Sequence, residues 1–211
     1  MKVSLSVFSR PVVTLAGLLL ALVFSPTSAQ AQWGAEVRGH MGFGGDEVAN
    51  VTYTDGSDSN LKLGTYFSFS AGPIFEAWSS GENKIELQGM VGWAGWSTGP
   101  ENTEDRLSLN RFPLDAMAYY ARGFPERDML FRIGGGMTYH LIGGVGGSGS
   151  LDAVEMGIEN AAGAVAEVTA VFGILSGGIR YTRMNNALDQ VSASLDGSSV
   201  GLYLGLTTPR F

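Results

Sequence analysis

Cysteine is absent from all 211 residues. That excludes a disulfide framework, a zinc–thiolate site and a cysteine nucleophile. Histidine is confined to His40 and His140. Cations are scarce: 13 Lys and Arg against 20 Asp and Glu give a net charge of −7 and a pI near 4.8. A nucleic-acid binder carries a basic patch, so that class is excluded. Charged residues of either sign reach only 16%, against 45% hydrophobic. This is neither a disordered acidic tail nor a salt-bridged surface coil. What is present in excess is glycine, 31 residues with no triplet period, so collagen is excluded. The length suits one domain, or at most two small ones.

The apolar run Val12 to Phe24 is shorter than the ~20 residues a membrane-spanning helix needs. Lys2 and Arg10 precede it, Pro26 breaks it and Ala29-Gln30-Ala31 follows. This is the pattern of a cleaved secretory signal peptide over residues 1–31. The mature chain is expected to occupy 32–211. It keeps all 20 acidic residues but only 11 of the 13 basic ones, for a net charge of −9. Export together with the absence of cysteine fits a bacterial envelope protein.

The mature sequence alternates in twos. In IELQGMVGWAGW, Ile85, Leu87, Val91 and Trp93 fall on one parity, Glu86 and Gln88 on the other. Such a period of two marks strands with one apolar and one polar face. In LKLGTYFSFSAGPIFEAW, Leu61, Leu63, Phe67, Phe69 and Phe75 oppose Lys62, Tyr66, Ser68, Ser70 and Glu76. In MLFRIGGGMTYHL, Phe131, Ile133, Met137 and Tyr139 oppose Arg132, Thr138 and His140. At the start, Trp33, Val37, Met41 and Phe43 oppose Glu36, Arg38 and His40. Eight strands are expected, at about 33–43, 61–79, 84–97, 107–122, 127–141, 162–173, 174–184 and 199–210. Their connections run long, short, long, short, long, short, long. The long ones cover 44–60, 97–106, 142–161 and 185–198; the short ones lie near 80–82, 123–126 and 173. That is the rule of an outer-membrane barrel, with long outer loops and short periplasmic turns. The expected fold class is all-β: an eight-stranded antiparallel transmembrane up-and-down β-barrel with both termini periplasmic.

In a soluble barrel the apolar face points inward; in a membrane barrel the signs reverse. The polar faces carry Glu36, Arg38, Lys62, Glu76, Glu86, Asp115, Arg132, Glu167 and Arg180, with His40 and His140. Acid and base nearly balance there, and the excess acid sits in the loops (Asp46, Glu47, Asp55, Asp58, Glu101, Glu104 and Asp105). A sealed interior demands such pairing, because an unpaired buried charge is costly. These residues are therefore expected to form a lumen charge network, whose partners the sequence does not pair. Aromatics divide into two girdles: Trp33, Trp78, Phe124, Phe172 and Phe211 toward the periplasm, and Trp93, Trp96, Tyr139 and Tyr181 toward the outside. Strand glycines relieve crowding in a tightly curved wall.

At this point the chain resembles the small eight-stranded outer-membrane β-barrel proteins of Gram-negative bacteria. These include the OmpA transmembrane domain, the OmpX/Ail type and the broad outer-membrane-protein beta-barrel domain family. FRIGGGMTYHL, GGIRYTRMN and SSVGLYLGL carry the likeness, which covers nearly the whole mature chain. The resemblance implies a fold and an outer-membrane location, but no activity. It also implies assembly through periplasmic chaperones and the barrel-assembly machinery, with lipid and lipopolysaccharide as surroundings. One departure is that Val200, Leu202, Leu204 and Leu206 lie on the opposite parity from the terminal Phe211.

Three motifs compete with this reading and lose. Some eight-stranded barrels edit lipid A with a Ser, His and acid set, but neither histidine here sits in a His-x-Ser pattern. No enzyme and no cofactor are expected. Gly144, Gly146 and Gly149 spell G-x-G-x-x-G, and 151–171 can be read as a helix, yet one such unit does not make a nucleotide domain. A surface loop is expected there, with room for a short helix. Asp55, Asp58 and Asn60 lack calcium-loop spacing, so no metal site is expected. The expected role is structural or surface-interactive: a monomer with a filled lumen and four outer loops. The alternatives are a narrow porin-like transporter of small solutes and a lipid A-modifying enzyme.

Overall fold

The computed structural model describes residues 33–44, 47–52, 58–62, 65–98, 106–149, 159–188 and 191–208. The signal peptide, residues 53–57 of the acidic loop, residues 150–158 and the terminal Phe211 lie outside these. Eight long strands form the wall: β1 (Trp33–Gly44), β4 (Thr65–Ser80), β5 (Asn83–Thr98), β6 (Arg106–Phe124), β7 (Met129–Ser148), β8 (Ala161–Phe172), β9 (Leu175–Leu188) and β11 (Ser199–Thr207). Each pairs antiparallel with its neighbours, and β11 returns to β1, so the sheet closes on itself. The closing register runs from Glu36↔Thr207 to Gly44↔Ser199. Closure leaves the wall without an edge strand.

The short connections are built as tight turns. Gly81 and Glu82 join β4 to β5, with Gly81 at φ 59°, where a residue lacking Cβ turns without strain. A 3-10 turn, Pro125–Arg127, joins β6 to β7, and Gly173 and Ile174 join β8 to β9. All three lie at the end of the barrel that holds Trp33 and Thr207. At the opposite end strands run past the wall. β2 (Glu47–Thr52) and β3 (Asp58–Lys62) pair with each other, and β10 (Val191–Asp196) pairs with the far end of β9.

Three expectations need correction. The single strand at 61–79 is two. β1 offers its last partner at Phe43↔Thr65, so Leu61 and Lys62 pair instead with Ala49 and Glu47 of the hairpin. The stretch 44–60 is accordingly not all loop. The strand expected at 162–173 is present as β8, beginning at Ala161, and the helical alternative over 151–171 does not hold there. There Ala161, Val165, Glu167, Thr169 and Val171 turn inward at every second residue, and period two overrides the helix propensity of Ala and Glu. Trp96 is not a girdle residue. It shares the inward parity of Glu86, Gln88, Met90 and Ala94 on β5 and is buried. Trp33, Trp78 and Phe172 do face outward near the turn end, and Trp93, Tyr139 and Tyr181 face outward elsewhere on the wall.

The barrel is inverted relative to a soluble protein. Leu204, Met137, Phe69 and Ile179 are 77%, 68%, 63% and 54% exposed on the outside, whereas Glu36, Glu86, Arg132 and Glu167 are 0–2% exposed within. Water would penalise this outer belt and reward its burial. Lipid removes the penalty, and a closed barrel satisfies every wall backbone group that lipid cannot. The belt continues along β11 through Val200, Leu202, Leu204 and Leu206.

Candidate functional site in the barrel lumen

The strand periodicity that turns apolar side chains to lipid turns the other half into a lumen too narrow to stay empty. Four carboxylates (Glu36, Glu86, Asp115 and Glu167) and four guanidiniums (Arg38, Arg111, Arg132 and Arg180) are buried there, with His40 and His140. Inward glycines make room for the largest neighbours. Gly134 lies opposite Tyr119, and a Cβ on it would fall 2.4 Å from that ring.

Cross-strand register stacks these groups in layers. Nearest the turns, Ala121, Leu130 and Val171 pack into an apolar cluster. Above it Arg132 stands 3.0 Å from Glu36 and 3.0 Å from Glu86. Glu36 also accepts hydrogen bonds from Gln88 (3.1 Å) and Ser176 (2.7 Å). The next layer centres on Glu167, which takes Arg38 at 2.9 Å, Arg180 at 3.0 Å and the Tyr119 hydroxyl at 2.6 Å. Tyr203 carries Arg38 over its ring at 4.6 Å and hydrogen-bonds Thr169. Arg180 then reaches up to Asp115. Toward the loops, Arg111 lies over the Tyr66 ring at 4.7 Å, and His40 packs on the same ring.

The structure thus brings together eight of the residues that parity selects: Glu36, Arg38, Glu86, Asp115, Arg132, His140, Glu167 and Arg180, with His40 beside them. Glu76 stands apart at the turn end of β4, ion-paired with Lys84 at 3.1 Å. The Lys62 side chain lies outside what is described. Arg111 was missed by the sequence reading, although it shares the odd parity of Asp115 on β6. Leu109, Met117 and Tyr119 share it too, so β6 has apolar side chains on both faces. Gln88, Tyr119 and Tyr203 were missed because uncharged groups leave no mark in a charge inventory.

Closed lumen, inverted faces and one-sided long connections define the class: the chain is an outer-membrane β-barrel protein. No protein-family model matches the sequence, and no curated protein matches it. Among solved structures it is similar to the outer membrane protein AlkL, solved by solid-state NMR in DMPC bilayers. The identity is 14% over 87% of this chain and 93% of that one, with a TM-score of 0.45. It is also similar to the transport unit of the autotransporter AIDA-I from Escherichia coli, at 11% identity over 92% and 96% of the two chains, TM-score 0.35.

Proposed function

We propose that this protein is a membrane-embedded scaffold with a structural or surface-interaction role, presenting its four long connections outside the cell. The observation that carries the reading is the filled lumen. An apolar cluster and two layers of paired charges fill much of it, and one cavity in the described interior holds about 20 Å³. That is room for one or two water molecules. Lipid and lipopolysaccharide surround the apolar belt, periplasmic chaperones and the barrel-assembly machinery deliver the chain, and the barrel works as a monomer. The reading assigns it no catalytic role, in keeping with both histidines being buried inside the lumen, away from the lipid where an acyl chain would be met.

The test pairs planar-bilayer recording with protease treatment of intact cells. The reading expects no conductance above background and cleavage in the long connections only. Reproducible single-channel steps would instead establish a narrow porin-like transporter, and loss of an acyl chain from lipid A on expression would establish a lipid-modifying enzyme.

A further inference from the structure

The outer third of the lumen differs from the rest. The cavity of about 20 Å³ lies there, lined among others by His40, Tyr66, Pro113, Asp115, His140 and Arg180. In and beside its walls are polar nitrogens without a partner among the described residues. His40 gives one ring nitrogen to Ser68 at 3.3 Å, and its Nε2 has no partner among the described residues. Neither ring nitrogen of His140 has one, and the Nε of Arg111 has none. His40, His140 and Arg111 are each more than nine-tenths buried. Arg111 stands beside the cavity without being part of its lining: its cross-strand partner Ala94, its inward neighbour Pro113 and its stacking partner Tyr66 all line it. The β6–β7 register shifts between Asn110 and Arg111, with Gly143 the extra residue on β7.

Charge is uneven along the lumen as well. Arg38 and Arg180 are paired with Glu167 and Asp115. Both Asp115 oxygens bond Arg180, which pairs that carboxylate with Arg180. Toward the turns two carboxylates, Glu36 and Glu86, share Arg132. The outer layer therefore carries one positive charge with no ion-pair partner among the described residues. A buried cation without a counter-charge is costly, and unused N–H donors add to the cost.

We propose that this outer chamber binds a small monovalent anion of halide size, held by the Arg111 guanidinium and by N–H donors of His40 and His140. The ligand enters from the loop side, since the Arg38–Glu167–Arg180 layer floors the chamber. The site goes beyond the scaffold reading and does not depend on it: an anion held above a closed floor carries no current.

The test uses the full mature barrel in detergent with chloride as the probe. Chloride NMR line width is followed against chloride concentration, with gluconate holding ionic strength constant. The proposal expects excess line width that saturates and that bromide displaces. Arg111→Gln should lose it, Arg111→Lys should keep most of it and His140→Phe should weaken it, in variants whose gel mobility still shifts on heating. No saturable excess in the wild type would overturn the proposal. So would an excess unchanged in Arg111→Gln, which would belong to exposed cations. Should Arg111→Gln fail to fold, His140→Phe decides by the same reading.

Discussion

Arg180 holds Asp115 through two hydrogen bonds, Nη1 to Oδ2 at 2.7 Å and Nη2 to Oδ1 at 2.9 Å, so that β9 is tied to β6 through the middle of the barrel. A fork meeting a carboxylate in this way is the strongest pairing geometry available to the two groups. The same Nη1 also reaches Glu167 on β8 at 3.0 Å. One guanidinium therefore clamps three strands.

Removing that guanidinium should be expensive. Arg180→Ala leaves Asp115 buried without its cation, an effect worth about 3–5 kcal/mol. Glu167 keeps Arg38 and suffers less. The double change Arg180→Met with Asp115→Leu should recover much of the loss, because a filled apolar pair replaces a broken ionic one. Urea unfolding from lipid vesicles measures both. Equal stability of the single variant and the wild type would show that the pairing contributes nothing.

Leu204 sits mid-strand on β11, opposite Gly39, and is the most exposed of the large outward side chains. Leu204→Arg should cost ~2–4 kcal/mol if that position meets the bilayer midplane. Leu204→Ala should cost far less. The same vesicle titration reads this, and a neutral arginine would place the residue outside the hydrocarbon.

Two glycines on the neighbouring strands β4 and β5, one buried and one exposed, should behave oppositely. A Cβ on Gly72 would fall 1.8 Å from the Gly89 carbonyl oxygen, whereas one on Gly89 meets nothing within 4 Å. Gly72→Ala is expected to lower the yield of folded barrel sharply and Gly89→Ala to leave it unchanged, as measured by the folded fraction on an unboiled gel. Similar yields would mean that the wall yields at that crossing.

The β2–β3 hairpin pairs only within itself among the described strands. Replacing residues 47–62 with a short Gly-Ser turn should therefore leave the barrel folded and heat-modifiable. Loss of the folded band would show that the hairpin supports the wall.

The wall was legible because alternation and loop asymmetry are local signals, and lipid makes the alternation strict. Seven wall strands lie close to where period two placed them. The exception, the stretch from Leu61 to Ser80, breaks where β1 runs out of partners, and no local pattern records a neighbour's length. Inward charge was legible through parity wherever the opposite face was plainly apolar, as around Glu86 and Arg132. Trp96 and Arg111 were misplaced or missed for one reason: near the loop end tryptophan enters the lumen and leucine accompanies arginine on the inward face, so hydropathy no longer separates the faces. The pairings themselves depend on how the strands stagger around the closed barrel. Arg38 reaches Glu167, 129 residues away in sequence, only once β11 has met β1.

The central claim is a closed barrel with lipid outside and paired charge within. Heat modifiability of the mature protein in a purified outer-membrane fraction tests it most directly, by comparing gel mobility with and without boiling. The account predicts recovery in that fraction and a clear mobility shift on boiling. Recovery from the soluble periplasm with no shift would contradict it, because the apolar faces would then have to line an interior and the charged ones to meet water.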